Sequence, residues 1–243
     1  MRISFSGTAN TGKTTLITNF LHVWPQYKTP ARTYRDLIKE KNYSHSSQST
    51  PETQLDVLSF MIGQLAEFPV GSKVIHDRCP LDNLAYTLWC HEKGIEGFDK
   101  QFVDTSIALA RESMKNLDII FLLSYDDSIK IEADGLRETN KEYILEIDNI
   151  FKVLYDQYSQ NLSADIFFPK DDSPCVIPLP ASPQQRIDLI SEYISPQGEL
   201  YGEEESIFNP EKLNELEVLV KQQSLALEAE RRERELYNKF KIN

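Results

Sequence analysis

The chain has 243 residues, 40% of them hydrophobic, which is enough to bury one substantial core and carry an appendage. No run reaches the roughly 18–20 apolar residues that span a bilayer, the N-terminus lacks a charged-then-apolar leader pattern, and Cys79, Cys90 and Cys175 are odd in number and widely spaced, so neither a membrane segment, a disulfide framework nor a zinc site is indicated and the cytoplasm is the expected compartment. The net charge of −12 disfavours a large DNA-binding surface, because neutralising phosphates drives most such binding.

The apolar run 1–5 reads as a strand. Residues 7–14 follow as Gly-Thr-Ala-Asn-Thr-Gly-Lys-Thr, a full match to G-x-x-x-x-G-K-[ST], and residues 15–21 continue as an amphipathic helix. This strand–loop–helix context is what phosphate binding requires. Gly7 and Gly12 let the backbone fold closely around phosphate oxygens. The peptide groups of Gly7, Thr8, Ala9, Asn10, Thr11, Gly12, Lys13, Thr14 and Thr15, with the helix N-terminus, supply fixed partial positive charge. Lys13 is expected on the β/γ-phosphates of ATP and the Thr14 hydroxyl on Mg²⁺.

Further along, 24–29 is a candidate second strand ended by Pro30, residues 31–38 look helical, and the polar stretch 42–50 is a loop. Thr50-Pro51-Glu52 is a helix start, followed by Leu55, Leu58, Met61, Ile62 and Leu65 at helical spacing. Residues 73–77 read as a strand, Pro80 opens a helix, and another runs from about Asp99 to Met114. The unbroken apolar run 117–124 has the composition of a parallel strand buried on both faces. A charged loop at 133–139 precedes a long helix from Asn140 to Tyr158; 165–168 and 175–177 are short strand candidates, and 183–194 is a closing helix. The pattern predicts an α/β fold, three layers with a mostly parallel five-stranded sheet, over residues 1–195. A linker at 196–209 and a long charged C-terminal helix at 210–240 follow, the latter either docked, solvated or joining a second copy in a homo-oligomer.

Four groups outside the loop bear on chemistry. Asp77 and Arg78 end a predicted strand, where ligands of open α/β sheets sit: the carboxylate suits a Mg²⁺ shell or an acceptor hydroxyl, the guanidinium an anionic substrate. Asp134-Gly135-Leu136-Arg137 combines hinge freedom with a cation and reads as a closing lid spanning about 126–140. Arg32 and Arg35 follow the second strand candidate and can face the acceptor, although arginines at i, i+3 are commonly exposed. Gln54 and Tyr86 lie on helices flanking the acceptor side, where an amide and a phenol can recognise a base. Cys79 adjoins Arg78 but has no catalytic partner in sequence, and His76 reads as a strand residue that packs in place.

With Asp77-Arg78-Cys79-Pro80-Leu81-Asp82, residues 134–143 and Ile147-Asp148 added to the loop, the chain resembles the thymidylate kinase-like superfamily of P-loop kinases. Within it the likeness is nearest to the NadR-type AAA-ATPase branch, which includes the kinase domain of bacterial nicotinamide riboside kinases; phage members also exist. The resemblance implies an ATP- and Mg²⁺-dependent phosphotransferase acting on a hydroxyl or phosphate of a small nucleoside-type acceptor. It also implies that Asp77 assists the metal or the acceptor hydroxyl, Arg78 holds the acceptor and Arg137 is the lid arginine. One departure stands out: relatives often carry a glutamate at the end of the second strand, and residues 27–32 contain none. The base and the acceptor therefore stay open. Two other activities compete: phosphorylation of hydroxymethylated thymine or uracil in DNA, along a channel of Arg32, Arg35, Lys39 and Lys41, and a regulatory P-loop ATPase that signals through its C-terminal helix.

Overall fold

Strand β1 (Arg2–Ser6) and strand β3 (Ile119–Leu123) bury every residue, including Arg2, whose guanidinium pairs with Asp118 at 2.7 Å. With β2 (Val74–Asp77) and β4 (Cys175–Leu179) they form a parallel sheet in the order β2-β1-β3-β4. The computed structural model describes residues 1–44, 46–126, 139–160, 164–179 and 182–201. The centre of the sheet is aromatic: the Phe5 and Phe121 rings stack 5.4 Å apart on paired residues of β1 and β3. Pro178 cannot donate a ladder hydrogen bond, and it sits on β4, an edge strand, where that loss is tolerated.

Helices α1 (Lys13–Val23), α2 (Tyr34–Lys41), α3 (Pro51–Ala66), α4 (Pro80–Glu92), α5 (Lys100–Ser113), α6 (Lys141–Ser159), α7 (Ala164–Phe167) and α8 (Pro183–Ser191) complete this part. Their starts are set by local chemistry. Thr50 caps α3 by accepting from Thr53 N–H, Asp99 caps α5 through Phe102 N–H, and Asn140 caps α6 through Glu142 and Tyr143 N–H. Among the described residues no helix is long and apolar enough to cross a membrane.

Two compact units are present. The first comprises residues 1–190 with 196–198, which are tied in by hydrogen bonds from Gln26 to the Pro196 carbonyl, Lys73 to the Gln197 carbonyl and Tyr27 to the Gly198 carbonyl. The second comprises residues 191–195 and 199–243; its described part is a turn closed by an antiparallel bridge between Ile194 and Leu200.

Two elements differ from expectation. The predicted five-stranded sheet has four strands among the described residues, because 24–29 contributes only a single parallel bridge, Lys28 to Val74. Pro25 within that segment and Pro30 just after it lack the donors a ladder needs, while Trp24 and Tyr27 turn inward onto Phe20. Residues 165–168 are not a strand: Ala164–Phe167 is a helical turn, and Arg111 donates to the Asp165 and Ile166 carbonyls at 2.9 and 3.3 Å. The charged C-terminal helix expected at 210–240 lies outside the described residues.

Candidate functional site

The order of the sheet reverses at β1, with β2 on one side and β3 on the other, so a crevice opens beyond the carboxyl ends of β1 and β2. The loop that leaves β1 there is shaped by its glycines. Gly7 has φ +137, and a Cβ on it would collide with the Leu123 carbonyl; Gly12 takes a left-handed φ of +79 to start α1. Thr8 and Thr11 fasten the loop, donating to the Ile144 and Thr8 carbonyls at 3.1 and 3.2 Å. Fully buried Arg186, on α8, donates to the Thr11 carbonyl at 2.5 Å.

Lys13 turns back into this loop. Its ammonium donates to the Gly7 carbonyl (2.8 Å), the Thr8 carbonyl and the Thr11 hydroxyl (2.9 Å). Burial, then the nearby Arg78 cation, holds its pKa well below the ordinary lysine value. A cation so placed gains most from an incoming anion.

The end of β2 carries the second half of the crevice. Arg78 is buried with φ +81, a conformation side chains resist, and it is held there by N–H donation to the Phe5 carbonyl at 3.1 Å. Its Nη1 donates to the Gly7 carbonyl (2.8 Å) and to Asp82 Oδ1 (2.7 Å), and its Nε to the Tyr34 hydroxyl (3.1 Å). Burial opposes its charge, but the Tyr34, Tyr86, Asp82 and Asp77 surroundings more than offset this and raise its pKa. Asp82 is equally committed. Its Oδ1 accepts from Gly7 N–H at 3.1 Å and its Oδ2 from Cys79 N–H at 3.0 Å, as the capping box of α4. The Gly7 peptide is thus gripped on both sides by the Arg78–Asp82 pair. Cys79 lies beneath, 3.2 Å from the Ser6 hydroxyl; burial, with Asp82 adding to it, pushes its thiol up to about 12, so it is no activated nucleophile. Asp77 Oδ1 is buried with no hydrogen-bond partner among the described residues.

One continuous cleft joins the loop, at residues 9–15, to a wall built by α2, α3 and α4. That wall presents Tyr34, Arg35, Gln54, Asn83 and Tyr86 above apolar Val57 and Met61. Asn83 Nδ2 donates to the Gln54 backbone carbonyl (3.0 Å) and to Gln54 Oε1 (2.6 Å). A carbonyl can only accept, so this contact orients both amides. Asn83 Oδ1 is left buried without a partner among the described residues.

Of the residues singled out from sequence, Ala9 to Thr15, Gln54, Arg78 and Tyr86 line this cleft, and Gly7 and Asp77 lie at the strand ends that form it. Arg32 does not line it: its guanidinium pairs with Glu40 at 2.5 Å, and both side chains are more than half exposed. Arg137 and the lid around it lie largely outside the described residues. Sequence reasoning gave Arg35 little weight and did not single out Asp82, Asn83, Tyr34 or Arg186 as site residues. For Asp82 a signal existed, an acid three residues after a helix cap in line with the loop; for Arg186 there was none.

A family profile described as an AAA domain matches residues 2–165. No curated protein sequence matches the chain. Among solved structures, a deoxyadenosine kinase from M. mycoides with products dCMP and dCDP bound is similar over 78% of this chain and 96% of its own, at 18% identity and a TM-score of 0.54. NadR in complex with NR is similar over 79% of this chain and 51% of its own, at 14% identity and a TM-score of 0.55. Thymidylate kinase from Candida albicans is similar over 78% and 88%, at 17% identity and a TM-score of 0.51. At such identities the likeness is one of fold, and the fold is that of P-loop kinases. With its family profile covering most of the sheet and the loop at its switch point, the chain belongs to the AAA domain family AAA_28.

Proposed function

We propose that the chain transfers the γ-phosphate of ATP to a hydroxyl or phosphate of a small nucleoside-type acceptor. The observation that carries this reading is the single cleft shared by the loop at 9–15 and the amide- and phenol-bearing wall of Gln54, Asn83 and Tyr86. A phosphate donor and a flat polar acceptor can meet there, and transfer depends mainly on holding them in line.

In this reading Lys13 leaves its loop carbonyls for the β/γ-phosphates, and the peptide N–H groups of 8–15 hold the remaining oxygens. Thr14, exposed at the start of α1, and Asp77, with its unpartnered buried oxygen, fit a Mg²⁺ ion. When bound, that ion supplies charge neutralisation at the β- and γ-phosphates. The acceptor oxygen forms a bond to Pγ as the bond from Pγ to the ADP oxygen breaks. For a hydroxyl acceptor the proton passes to Asp77. The lid role of Arg137 rests on sequence alone.

A small acceptor is favoured over DNA because the chain carries a net charge of −12 and two of the four basic residues of that channel are paired off, Arg32 with Glu40 and Lys41 with Asp56. The test is transfer from γ-labelled ATP to deoxynucleosides, deoxynucleoside monophosphates, NR and duplex DNA carrying hydroxymethyluracil. Label appearing in a small acceptor supports the reading. Phosphate release at one rate whatever the acceptor would replace it with an ATPase.

A further inference from the structure

Arg35 differs from the basic side chains around it. Arg78 pairs with Asp82 at 2.7 Å, Arg32 with Glu40 at 2.5 Å, and Lys41 with Asp56. Arg35 is half-buried, lines the cleft and has no carboxylate partner among the described residues. Tyr34 first, and then Asp77, favour its charged form, but no carboxylate among the described residues lies within ion-pair distance of it. Among the described residues the hydrogen bond of Arg35 runs from Nε to the Tyr34 hydroxyl at 3.2 Å, the same oxygen that accepts from Arg78 Nε at 3.1 Å. Tyr34 thereby orients the guanidinium and leaves Nη1 and Nη2 without acceptors among the described residues. Three cations, Arg35 and Arg78 around one phenol oxygen and the Lys13 ammonium near both, face two carboxylates, Asp82 and Asp77, which leaves one positive charge that an anion relieves.

The carboxylates of the cleft point the same way. Both oxygens of Asp82 are taken, by Gly7, Arg78 and Cys79. Residues 27–32 hold no acid at all. Among the described residues a hydroxyl acceptor would have Asp77 to take its proton, whereas a phosphate oxygen is already ionised at neutral pH and needs no base.

We propose that Arg35 is an anion site on the acceptor side and that the acceptor is a phosphate monoester, a nucleoside monophosphate in class, with its base turned to the Gln54–Asn83 amides. This rests on the kinase reading above. An oxygen of the acceptor phosphate forms the new bond to Pγ, the bond from Pγ to the departing ADP oxygen breaks, and the products are ADP and a nucleoside diphosphate, with no proton transferred.

The experiment compares ATP-dependent transfer by the full chain to dAMP, dCMP, dGMP and dTMP with transfer to the four corresponding deoxynucleosides, then repeats it with Arg35→Gln and Arg35→Lys. At least one monophosphate is expected to exceed its nucleoside by about tenfold or more in kcat/KM, the effect of one charge-assisted contact. Arg35→Gln should raise the acceptor KM by about tenfold with a smaller change in kcat, and Arg35→Lys should recover part of the loss. Transfer confined to unphosphorylated nucleosides overturns the proposal and leaves the kinase reading standing. A fall in kcat at unchanged acceptor KM overturns it too, by moving Arg35 onto the transferred phosphoryl group. No transfer to any of these eight compounds overturns the proposal, and the kinase reading then stands or falls on NR and the modified duplex. The wild-type comparison decides the matter even where a variant fails to fold.

Discussion

Lys13 is the residue on which the phosphate assignment turns. It is held by two carbonyls and a hydroxyl rather than by apolar packing, so Lys13→Ala should fold and bind nucleotide weakly while losing transfer by a factor on the order of 10² or more. Circular dichroism beside a labelled-ATP assay checks this, and near-normal turnover would remove the loop from the chemistry. His76 gives a prediction about pH. Burial, with Arg2 nearby, pushes its ring down to about 4 from an ordinary 6.5. Protons then bind the unfolded chain more readily than the folded one, so this contribution is complete above about pH 6.5 and is lost as pH falls towards 4, by on the order of 3 kcal/mol. Urea midpoints across that window should slope less in His76→Gln; parallel slopes would contradict the buried neutral ring. At this scale a motif was legible where its spacing alone encodes the chemistry, as for Lys13 and Thr14. Arg35 was not, because arginines at i, i+3 look like a solvated helix face, and only Tyr34 and the neighbouring wall reveal which way one of them turns. Asn83 was hidden for a similar reason: its value comes from a carbonyl on another helix.

The elements were read well wherever hydrophobic pattern and capping agreed. β3 shows its five buried apolar residues directly, and the starts of α3, α5 and α6 are written in Thr50, Asp99 and Asn140. The misreadings fall on short apolar segments. Residues 165–168 are too few to distinguish period 2 from period 3.6, and Arg111, which donates to the Asp165 carbonyl, lies 54 residues away. The segment at 24–29 has the residues of a strand and the prolines of a turn. On α3 the face itself was partly misplaced: Leu55 is 41% exposed while Thr53 and Gln54 are buried, since the helix turns polar residues toward the cleft. That makes the cap of α3 worth testing. Thr50→Ala removes the acceptor for Thr53 N–H and should cost about 1 kcal/mol in urea unfolding. A cost below a few tenths would mean the first turn is held by other contacts.

For the whole molecule, the first unit extends past the end of α8 through residues 196–198, whose carbonyls accept from Gln26, Lys73 and Tyr27. Two truncations should therefore behave differently. Ending the chain after Tyr201 keeps these three contacts and is expected to retain ATP binding and turnover. Ending it after Ile194 removes them, including the buried bond from Tyr27, and should lower Tm by several degrees, as a loss of about 1–2 kcal/mol does in a unit of this size. Calorimetry of the two proteins decides; equal melting points would show that 196–198 add nothing. A folded Tyr201-ended chain that binds ATP without turnover would place a required group beyond residue 201.

Cys79 also makes the molecule its own reporter. It sits under the strand that feeds the phosphate loop, fully enclosed, one residue after the strained Arg78. With its thiol near 12, only about one molecule in ten thousand is thiolate at pH 8, and no reagent can reach it without an opening of the β1–β2 ends. Cys90 is shielded likewise, whereas Cys175 is exposed. Alkylation should thus count one fast thiol and two slow ones. The slow rate at Cys79, followed by peptide mass, is a clock for how often the two strand ends part. ATP should slow that clock if the loop and the strand end open together, and leave it unchanged if each breathes alone.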